Sequence, residues 1–412
     1  MTLRLLASTA LLSCSLLAGA AHAACGVDKG SVRILSNDFE ALRIIADAAA
    51  ECAAPGVTVT RNQTTEHKTL QVAALTVNPA QYTVAMIANN SIVPLMNDNL
   101  IRPLDDLVSR YGQQLVPNQL IKVGGKVMAI AFMGNAQTLA YRKDILDKAG
   151  VQPPTSYEEV LAAAKVIKDK GLMAYPVAMS DKAGWDLAAE FVNMYLGEGG
   201  TLFKADSAAP AINNDKGAAA LKMMKDLAGY SSPDYLSVGA DELNKIYQGG
   251  NAAMMNQWGS LVGADLDPKG ASPAVAAGTA LAATPTVGGG TIPAAALWWD
   301  GFSLAKNISD EDADASFQAM MHGIRPEVAA AHPNVAVWLV KGYVPGPSAV
   351  GVLATAKGGA KLYPMLPYMG LLHTALGTEL VKFMQGQESA DAALASVEAS
   401  YTAAAKQSGF LN

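Results

Sequence analysis

Cysteine and histidine are scarce in this chain of 412 residues, which contains three of the former and five of the latter. No His-x-x-x-His or His-Glu pair occurs, so the spacings of common zinc sites are absent. A Gly-x-Ser-x-Gly elbow is also missing, and Gly124 and Gly125 lack the remainder of a phosphate-binding Walker loop. We therefore expect no metal, no cofactor and no enzyme of these classes.

Charged residues are few as well, at 16% of the chain, and no basic run occurs among them. The formal net charge of -6 disfavours nucleic acid or an anionic membrane surface as a partner. Hydrophobic residues make up 51% of the chain, which is enough to bury large cores, and two lobes are expected at this length. Beyond the N-terminal segment, no apolar run is long enough to cross a bilayer.

The N-terminal segment, residues 1–23, has the pattern of a secretory signal peptide. Arg4 is its only charge, an apolar run covers residues 5–20, and a small-residue Ala-His-Ala sequence ends at Ala23, where cleavage is expected. A membrane anchor is the alternative, but a run of roughly 16 residues is short for a bilayer. A lipoprotein site at Cys14 is a further alternative. We expect export, with a periplasm as the compartment.

Removal of the signal segment leaves Cys25 and Cys52 as the only cysteines. An even number of cysteines in an exported protein favours a disulfide. Two free thiols are the alternative. A bridge would attach the new N-terminus to the end of the first helix, so its role would be structural.

The most informative stretch runs from Gly124 to Lys170. Its apolar run at Val127 to Phe132 predicts a strand, and a polar break at residues 134–137 follows. The next segment predicts a helix that ends at Gly150, as a glycine C-cap would. Thr155 and Glu158 then have the spacing of a capping box, so a new helix is predicted from Thr155.

This stretch resembles the family-1 extracellular solute-binding proteins of ABC importers, the group that includes maltose-binding protein. The matching residues are Asn135, Leu139, Tyr141, Lys143, Asp144, Gly150, Pro154, Thr155, Glu158 and Glu159. A second matching block consists of Gly250, Ala253, Met254 and Trp258. The resemblance extends over essentially the whole chain after the signal segment.

The resemblance implies an α/β chain with the two-lobed periplasmic-binding-protein fold of type II, whose lobes are joined by a hinge of three crossings. The crossings are expected near Gly134 to Asn135, Trp299 to Gly301 and Val344 to Ser348. Lobe 1 is expected to comprise residues 24–133 plus 302–345, and lobe 2 residues 134–301 plus 346–412.

The resemblance also implies a function: a monomeric receptor binds a small solute in the interlobe cleft and delivers it to the transmembrane subunits of an ABC permease. A mono- or oligosaccharide is the expected solute. The open alternatives are a polyol, a glycerol phosphate and an amino-acid-derived compound. Arg142 is the nearest basic residue for an anion. An exported carbohydrate-active enzyme, which would need two carboxylates about 5 to 10 Å apart, is the alternative from another class.

Tryptophans carry the carbohydrate hypothesis. Trp185, Trp258, Trp298 and Trp299 stand at polar or glycine-rich boundaries, whereas Trp338 lies in an apolar run and is expected in the core. A sugar ring stacks its C-H face on an indole, and its hydroxyls need polar groups around the rim. For any single tryptophan, ordinary core packing is the alternative.

The remaining site candidates follow from their positions at strand ends and loops. Asn37 and Asp38 follow the first strand, where helix capping is the alternative role, and Asn89 ends the third strand. The full set of ligand-binding candidates is Asn37, Asp38, Thr65, Glu66, Asn89, Asn135, Trp185, Trp258, Trp298, Trp299, Asp300, Tyr343, Tyr368 and His373.

Overall fold

A computed structural model describes residues 25–412, so the predicted signal segment lies outside the described residues. The strands are β1 (Gly30–Ser36), β2 (Val57–Gln63), β3 (Val84–Ala88), β4 (Leu120–Val123), β5 (Lys126–Asn135), β6 (Gln137–Arg142), β7 (Val177–Ala178), β8 (Met254–Trp258), β9 (Thr279–Ala283), β10 (Ala296–Leu304), β11 (Val337–Trp338) and β12 (Lys361–Leu362). They form two sheets.

Helices cover both sheets. They are α1 (Glu40–Ala50), α2 (His67–Thr76), α3 (Ile92–Asn97), α4 (Asp105–Tyr111), α5 (Lys143–Ala149), α6 (Tyr157–Asp169), α7 (Trp185–Gly197), α8 (Asp215–Ala228), α9 (Ala240–Gln248), α10 (Pro273–Gly278), α11 (Asp310–Gly323), α12 (Pro326–Ala331), α13 (Val350–Lys357), α14 (Met369–Met384) and α15 (Ala390–Gln407). Within residues 25–412, none of them is both long enough and apolar enough to cross a bilayer.

The larger sheet has the strand order β11-β5-β10-β3-β1-β2, with β4 paired to β5 and β12 paired to β10. β1 is parallel to β2 and β3, whereas β10 is antiparallel to β3 and β5. The smaller sheet has the order β7-β8-β6-β9. β5 and β6 are separated only by Ala136, so the chain passes directly from one sheet to the other.

Three separate apolar cores accompany the two sheets in the described residues, and two of them are large; the third is a small cluster around Tyr247 and Met255. Phe302, Phe317 and Trp338 pack in the first core together with residues from the N-terminal third of the chain. Tyr363 and Leu376 pack in the second core with residues of α6, α7 and α8. This distribution supports the lobe boundaries expected from the sequence, and we propose them for this protein.

β10 belongs to both cores because side chains alternate along a strand. Trp298 packs in the second core, whereas Trp299 and Phe302 pack in the first. β10 pairs with β5 from Trp298 opposite Asn135 to Phe302 opposite Ile130, with a register shift between Asp300 and Gly301. The paired strands β5 and β10 therefore run side by side where the chain changes lobes.

Local structure after the first crossing differs from the sequence prediction in two places. Residues 137–142 form β6, so helix α5 begins only at Lys143; its predicted end at Gly150 is confirmed by a left-handed φ of 70°. Helix α6 is capped by Ser156, whose side chain accepts from the Glu159 backbone, and not by Thr155. Residues 137–142 form a strand and not a helix because they pair with both β8 and β9.

The start of α1 also differs from the capping alternative considered for Asn37 and Asp38. Its N-cap is Phe39, which has no side-chain cap hydrogen bond. Asp38 instead forms a salt bridge of 2.6 Å with Arg43. The side chains of Asn37 and Asp38 therefore lie directly after the end of β1 and do not cap α1.

Cys25 and Cys52 are joined by a disulfide whose Cα atoms are 5.3 Å apart. Cys52 is fully buried at the end of α1. The bond therefore ties the first described residue to the first core.

Removal of this bond should destabilise the protein. A closed loop with a sequence separation of 27 predicts a loss of about 3 kcal/mol in the free energy of unfolding for a Cys25→Ser/Cys52→Ser variant. Urea denaturation measures this loss, and reduced wild-type protein is the control that should show a similar value. Labelling of unreduced, denatured protein that lacks residues 1–23 with a thiol reagent should give no adduct; two labels per chain would refute the bridge.

Candidate ligand-binding cleft

A cleft of about 630 Å³ lies between the two lobes and is lined by residues of both. Lobe 1 contributes the segments after β1 and at the start of α2. Lobe 2 contributes the starts of α7 and α9 and the end of β8. Strand ends that meet helix starts are the usual ligand-binding edge of α/β sheets, because helix N-termini and loop side chains converge there.

Nine of the fourteen ligand-binding candidates line this cleft. They are Asn37, Asp38, Thr65, Glu66, Asn135, Trp185, Trp258, Trp298 and Asp300. The structure thus brings together residues separated by more than 250 positions in the chain.

Asn89 and Trp299 are predicted site residues that do not line the cleft. The Asn89 amide donates to the carbonyls of Leu297 and Tyr363, and its oxygen accepts from the Trp299 backbone. Trp299 is in the first core because it points to the opposite side of β10 from Trp298. Asn89 and Trp299 therefore stabilise the region where the two lobes join and do not contact the cleft.

Tyr343, Tyr368 and His373 are also outside the cleft lining. The Tyr343 hydroxyl donates to the carbonyls of Pro333 and Ala336, and that of Tyr368 donates to Ser207. These partners satisfy both phenols within the protein, so we no longer expect either one to contact ligand.

His373 supports the cleft from behind. Its Nδ1 accepts from the Tyr363 hydroxyl at 2.9 Å, and its Nε2 donates to the Trp185 carbonyl at 3.0 Å. Burial lowers the pKa of His373 to about 3, so the imidazole is neutral and has one donor and one acceptor nitrogen. This arrangement fixes the start of α7 and thereby Trp185.

Three tryptophans form one continuous aromatic wall. The ring centroids of Trp185, Trp258 and Trp298 are 5.7 to 6.0 Å from one another, and Trp258 meets Trp298 edge-to-face. Tyr363 stacks on Trp298 with centroids 4.0 Å apart. Trp258 and Trp298 are only 8% and 7% exposed, so they are core residues that also present an edge to the cleft.

Two polar atoms of this wall lack partners. The Nε1 atoms of Trp185 and Trp298 are buried and make no hydrogen bond within the described part of the chain. Buried indole N-H groups normally find an acceptor. These two donors are therefore left unsatisfied by the described residues.

Asp300 and Asp186 place carboxylates beside the wall. Burial raises the pKa of Asp300 to about 7, and Lys68 partly opposes this shift. Burial likewise raises the pKa of Asp186 to about 6, opposed first by the Ser180 side chain and then by Lys182 and Lys68. Among residues 25–412, neither carboxylate has an ion-pair partner within 4.0 Å. Both can accept from hydroxyl or N-H donors.

Lys68 is a cleft residue that the sequence analysis missed. Its Nζ lies 4.4 Å from the ring centroid of Trp185, so a lobe 1 cation covers a lobe 2 indole. Burial lowers the pKa of Lys68 to about 8, opposed by Asp300 and Asp186. Its position in the first turn of α2 was a usable signal, because cations are disfavoured at helix N-termini.

The cleft is acidic overall. Six carboxylates line it against two lysines, Lys68 and Lys182; the carboxylates belong to Asp38, Glu66, Asp186, Asp241, Glu242 and Asp300. Arg142, the basic residue considered for an anion, is not among the lining residues. Its guanidinium is buried and pairs with Asp144 through two hydrogen bonds of 2.7 and 2.8 Å.

Within the described chain, residues of the types that bind metals come together at one place. Cys25, Cys52 and His322 bring their ligand atoms within 4.8 Å of one another. The two sulfurs are bonded to each other, and the His322 imidazole contacts the Glu51 carboxylate at 2.8 Å. The cluster lies in lobe 1, and none of its residues lines the cleft.

Comparison with known proteins identifies the family. A family model described as bacterial extracellular solute-binding protein matches residues 35–321, which is well over half of the chain. The chain belongs to this family. The solute-binding proteins were the group implied by the blocks around Asn135 and Trp258, so that prediction is confirmed.

Solved structures establish the fold of this solute-binding protein. The TM-score is 0.76 with maltose-bound MalE3 of T. maritima, at 18% identity over 90% of this chain and 99% of that one. It is 0.79 with a ribitol complex from Agrobacterium radiobacter K84, at 19% identity over 90% and 98%. A D-mannitol complex from Agrobacterium vitis S4 gives 0.75 at 19% identity over 93% and 100%. The predicted two-lobed α/β fold is confirmed.

A relative in sequence is a probable ABC transporter-binding protein of Deinococcus radiodurans. It is 30% identical over 191 residues, which are 45% of this chain and 44% of the relative. The match thus spans less than half the length of that relative.

Gln137 is the polar centre of this solute-binding protein at the first crossing. Its side chain bonds the Glu190 carboxyl and accepts from Asn193 at 2.9 Å and from Asn256. Asn193 in turn accepts from the backbone N-H of Ala296 at 2.8 Å. One buried network therefore connects the first crossing strand to the start of the second.

Proposed function

We propose that this protein is the receptor component of an ABC importer that binds a neutral carbohydrate or polyol in the cleft and delivers it to the permease. The single observation that carries the proposal is the aromatic wall beside unpaired carboxylates. An indole face or edge suits the C-H face of a sugar or polyol, and Asp300 and Asp186 accept hydroxyl protons.

The surrounding facts support the same ligand class. The structural neighbours include complexes with maltose, ribitol and D-mannitol, which fits a polyhydroxylated ligand here as well. Six carboxylates against two lysines disfavour a glycerol phosphate, because like charges repel in a partly desolvated cleft. We further propose that the chain is exported by its N-terminal segment, acts in the periplasm, and works as a monomer.

A thermal-shift screen tests this proposal. The panel contains neutral mono- and disaccharides, polyols and glycerol phosphates, followed by calorimetry on the best compounds. We expect a neutral polyhydroxylated compound to raise the melting temperature and glycerol phosphates to have no effect. No stabilisation by any neutral compound would contradict the proposal. Chromatography of the same mixtures after incubation would reveal products if the protein were instead a carbohydrate-active enzyme.

Asp300→Asn should weaken binding of the neutral ligand in a pH-dependent way. The pKa of Asp300 is raised from 3.8 to about 7, so the free cleft holds a neutral carboxyl at low pH and a carboxylate above pH 7. Asparagine resembles the neutral acid. We therefore expect a loss of about 1.5 to 3 kcal/mol in binding free energy at about pH 7.5 and a smaller loss at about pH 5.5.

Calorimetry at the two pH values measures this difference. Asp241→Asn is the matched control, because Asp241 is an exposed acid of the same cleft. The control should show the same small effect at both pH values. An Asp300→Asn penalty that is equal at both, or larger at low pH, would show that the ligand does not use the carboxylate.

A further inference from the structure

The structure points to Lys68 as the residue that sets the charge of the ligand. We propose that the Lys68 ammonium occupies the cation position of the cleft, so that the cleft selects neutral hydroxyl-bearing ligands and excludes their ammonium-bearing analogues. This inference rests on the proposed function and adds a specificity determinant to it.

The surroundings of the Lys68 ammonium favour a positive charge. Its Nζ lies 4.4 Å from the Trp185 centroid, within the range of a cation–π contact. The charges of Asp300 and Asp186 raise the pKa of Lys68 and so favour its charged form, against the effect of burial. An aromatic face with flanking carboxylates is the usual surrounding of a bound ammonium group.

The neighbouring elements supply mainly negative charge. Asp186 and Trp185 come from the start of α7, Asp300 from β10, and Asp241 and Glu242 from the start of α9. Lys182, just before α7, is the other lysine of the lining and is exposed. Without Lys68, the position over Trp185 would keep both of its nearest carboxylates and lose its only cation.

The local structure does not favour a lysine at this position. Lys68 is in the first turn of α2, where the helix dipole disfavours a cation. Burial disfavours the charged form of Lys68, and no hydrogen-bond acceptor among the described residues compensates for it. A role in the cleft explains why a lysine is placed there.

Occupation of this position has two consequences for ligands. A ligand ammonium would have to sit beside the Lys68 ammonium or displace it, and both are unfavourable. A neutral ligand leaves the lysine in place and can supply oxygen acceptors to it. Because Lys68 covers the Trp185 face, the ligand is left with Trp258 and Trp298 for apolar contact.

Lys68→Met tests this inference, because methionine keeps much of the length of the side chain and removes its charge. Calorimetry uses matched neutral and amino probes at about pH 6.5, where the amines are protonated: glucose with glucosamine, galactose with galactosamine, and D-glucitol with D-glucamine. We expect the ratio of the amine Kd to the neutral Kd to fall by about tenfold or more in Lys68→Met. Lys182 is an exposed lysine of the same cleft, so Lys182→Met should change this ratio of Kd values by less than about threefold.

Each outcome decides the inference. An unchanged ratio in Lys68→Met while neutral probes still bind would overturn it and leave the proposed function standing. An equal change in Lys182→Met would also overturn it, because the effect would then be general to the cleft charge. Amine binding gained by Lys68→Met alone supports it, even where the wild type binds no probe. Absence of binding of every probe by both proteins also overturns the inference, whereas the proposed function is decided by the wider thermal-shift panel. Lys68→Gln, with circular dichroism as a folding check, repeats the test with a polar side chain.

Discussion

Trp298→Ala should lower the free energy of unfolding by about 3 to 5 kcal/mol, the usual cost of removing a large buried aromatic side chain. Trp298 is 7% exposed and contacts Trp185, Trp258 and Tyr363 through its ring. Its removal would leave a cavity between the second core and the cleft. The alanine variant therefore cannot separate a binding role from a structural one.

Trp298→Phe provides that separation. Phenylalanine keeps an aromatic ring against Tyr363 but lacks the Nε1-H that has no partner within the described chain. We expect a loss of unfolding free energy well below that of Trp298→Ala, with weaker ligand binding by about 1 to 3 kcal/mol. Urea denaturation and calorimetry measure the two quantities. Trp338→Phe, an exchange at a core tryptophan that does not line the cleft, should leave affinity unchanged; unchanged affinity in both variants would make Trp298 a core residue only.

Gln137→Ala should have a comparable effect on stability, about 3 to 5 kcal/mol, because it leaves several buried polar groups without partners. Glu190, Asn193 and Asn256 all bond to the Gln137 side chain. Burial raises the pKa of Glu190 well above its ordinary range, and its carboxyl oxygen accepts from the Gln137 side-chain nitrogen. Alanine offers neither the donor to Glu190 nor the acceptor for Asn193 and Asn256.

Equilibrium denaturation in urea measures this loss. Gln113→Ala is the control, because Gln113 is exposed and its side chain bonds only to carbonyls of the preceding helix α4, so a change below about 0.5 kcal/mol is expected. A loss of similar size in the control, or a negligible loss in Gln137→Ala, would mean that water replaces the network without cost.

The fold was predictable because strand and helix patterns and family blocks survive in the sequence. Gly150 ends α5 in the left-handed region, as a glycine C-cap predicts. The predicted helical segment, Tyr141 to Gly150, overlaps β6 at Tyr141 and Arg142. This error has a tertiary cause, because pairing with β8 and β9 continues the strand through these two residues.

The site was predictable in composition but not in arrangement. Trp298 and Trp299 are indistinguishable by residue type, yet their adjacency on one strand requires that they face opposite sides, and only Trp298 reaches the cleft. Lys68 contacts a residue 117 positions away, a separation counted from Lys68 to Trp185. A lysine in a helix looks like an ordinary solvated charge until the chain is folded.

The strand pair β5 and β10 has a consequence for the timing of recognition. In a rigid rotation the displacement of an atom grows with its distance from the axis, and Asp300 is on the strand that joins the lobes, opposite Met133 of β5. If the lobes rotate about this strand pair, opening separates Lys68 from Trp185, which packs with the second core, while Asp300 moves little. In that case an arriving solute meets the Asp300 acceptor first and the Lys68 ammonium only as the lobes close. An unsuitable solute is then rejected because the lobes do not close around it. Its dissociation rate should therefore be higher than that of a suitable solute.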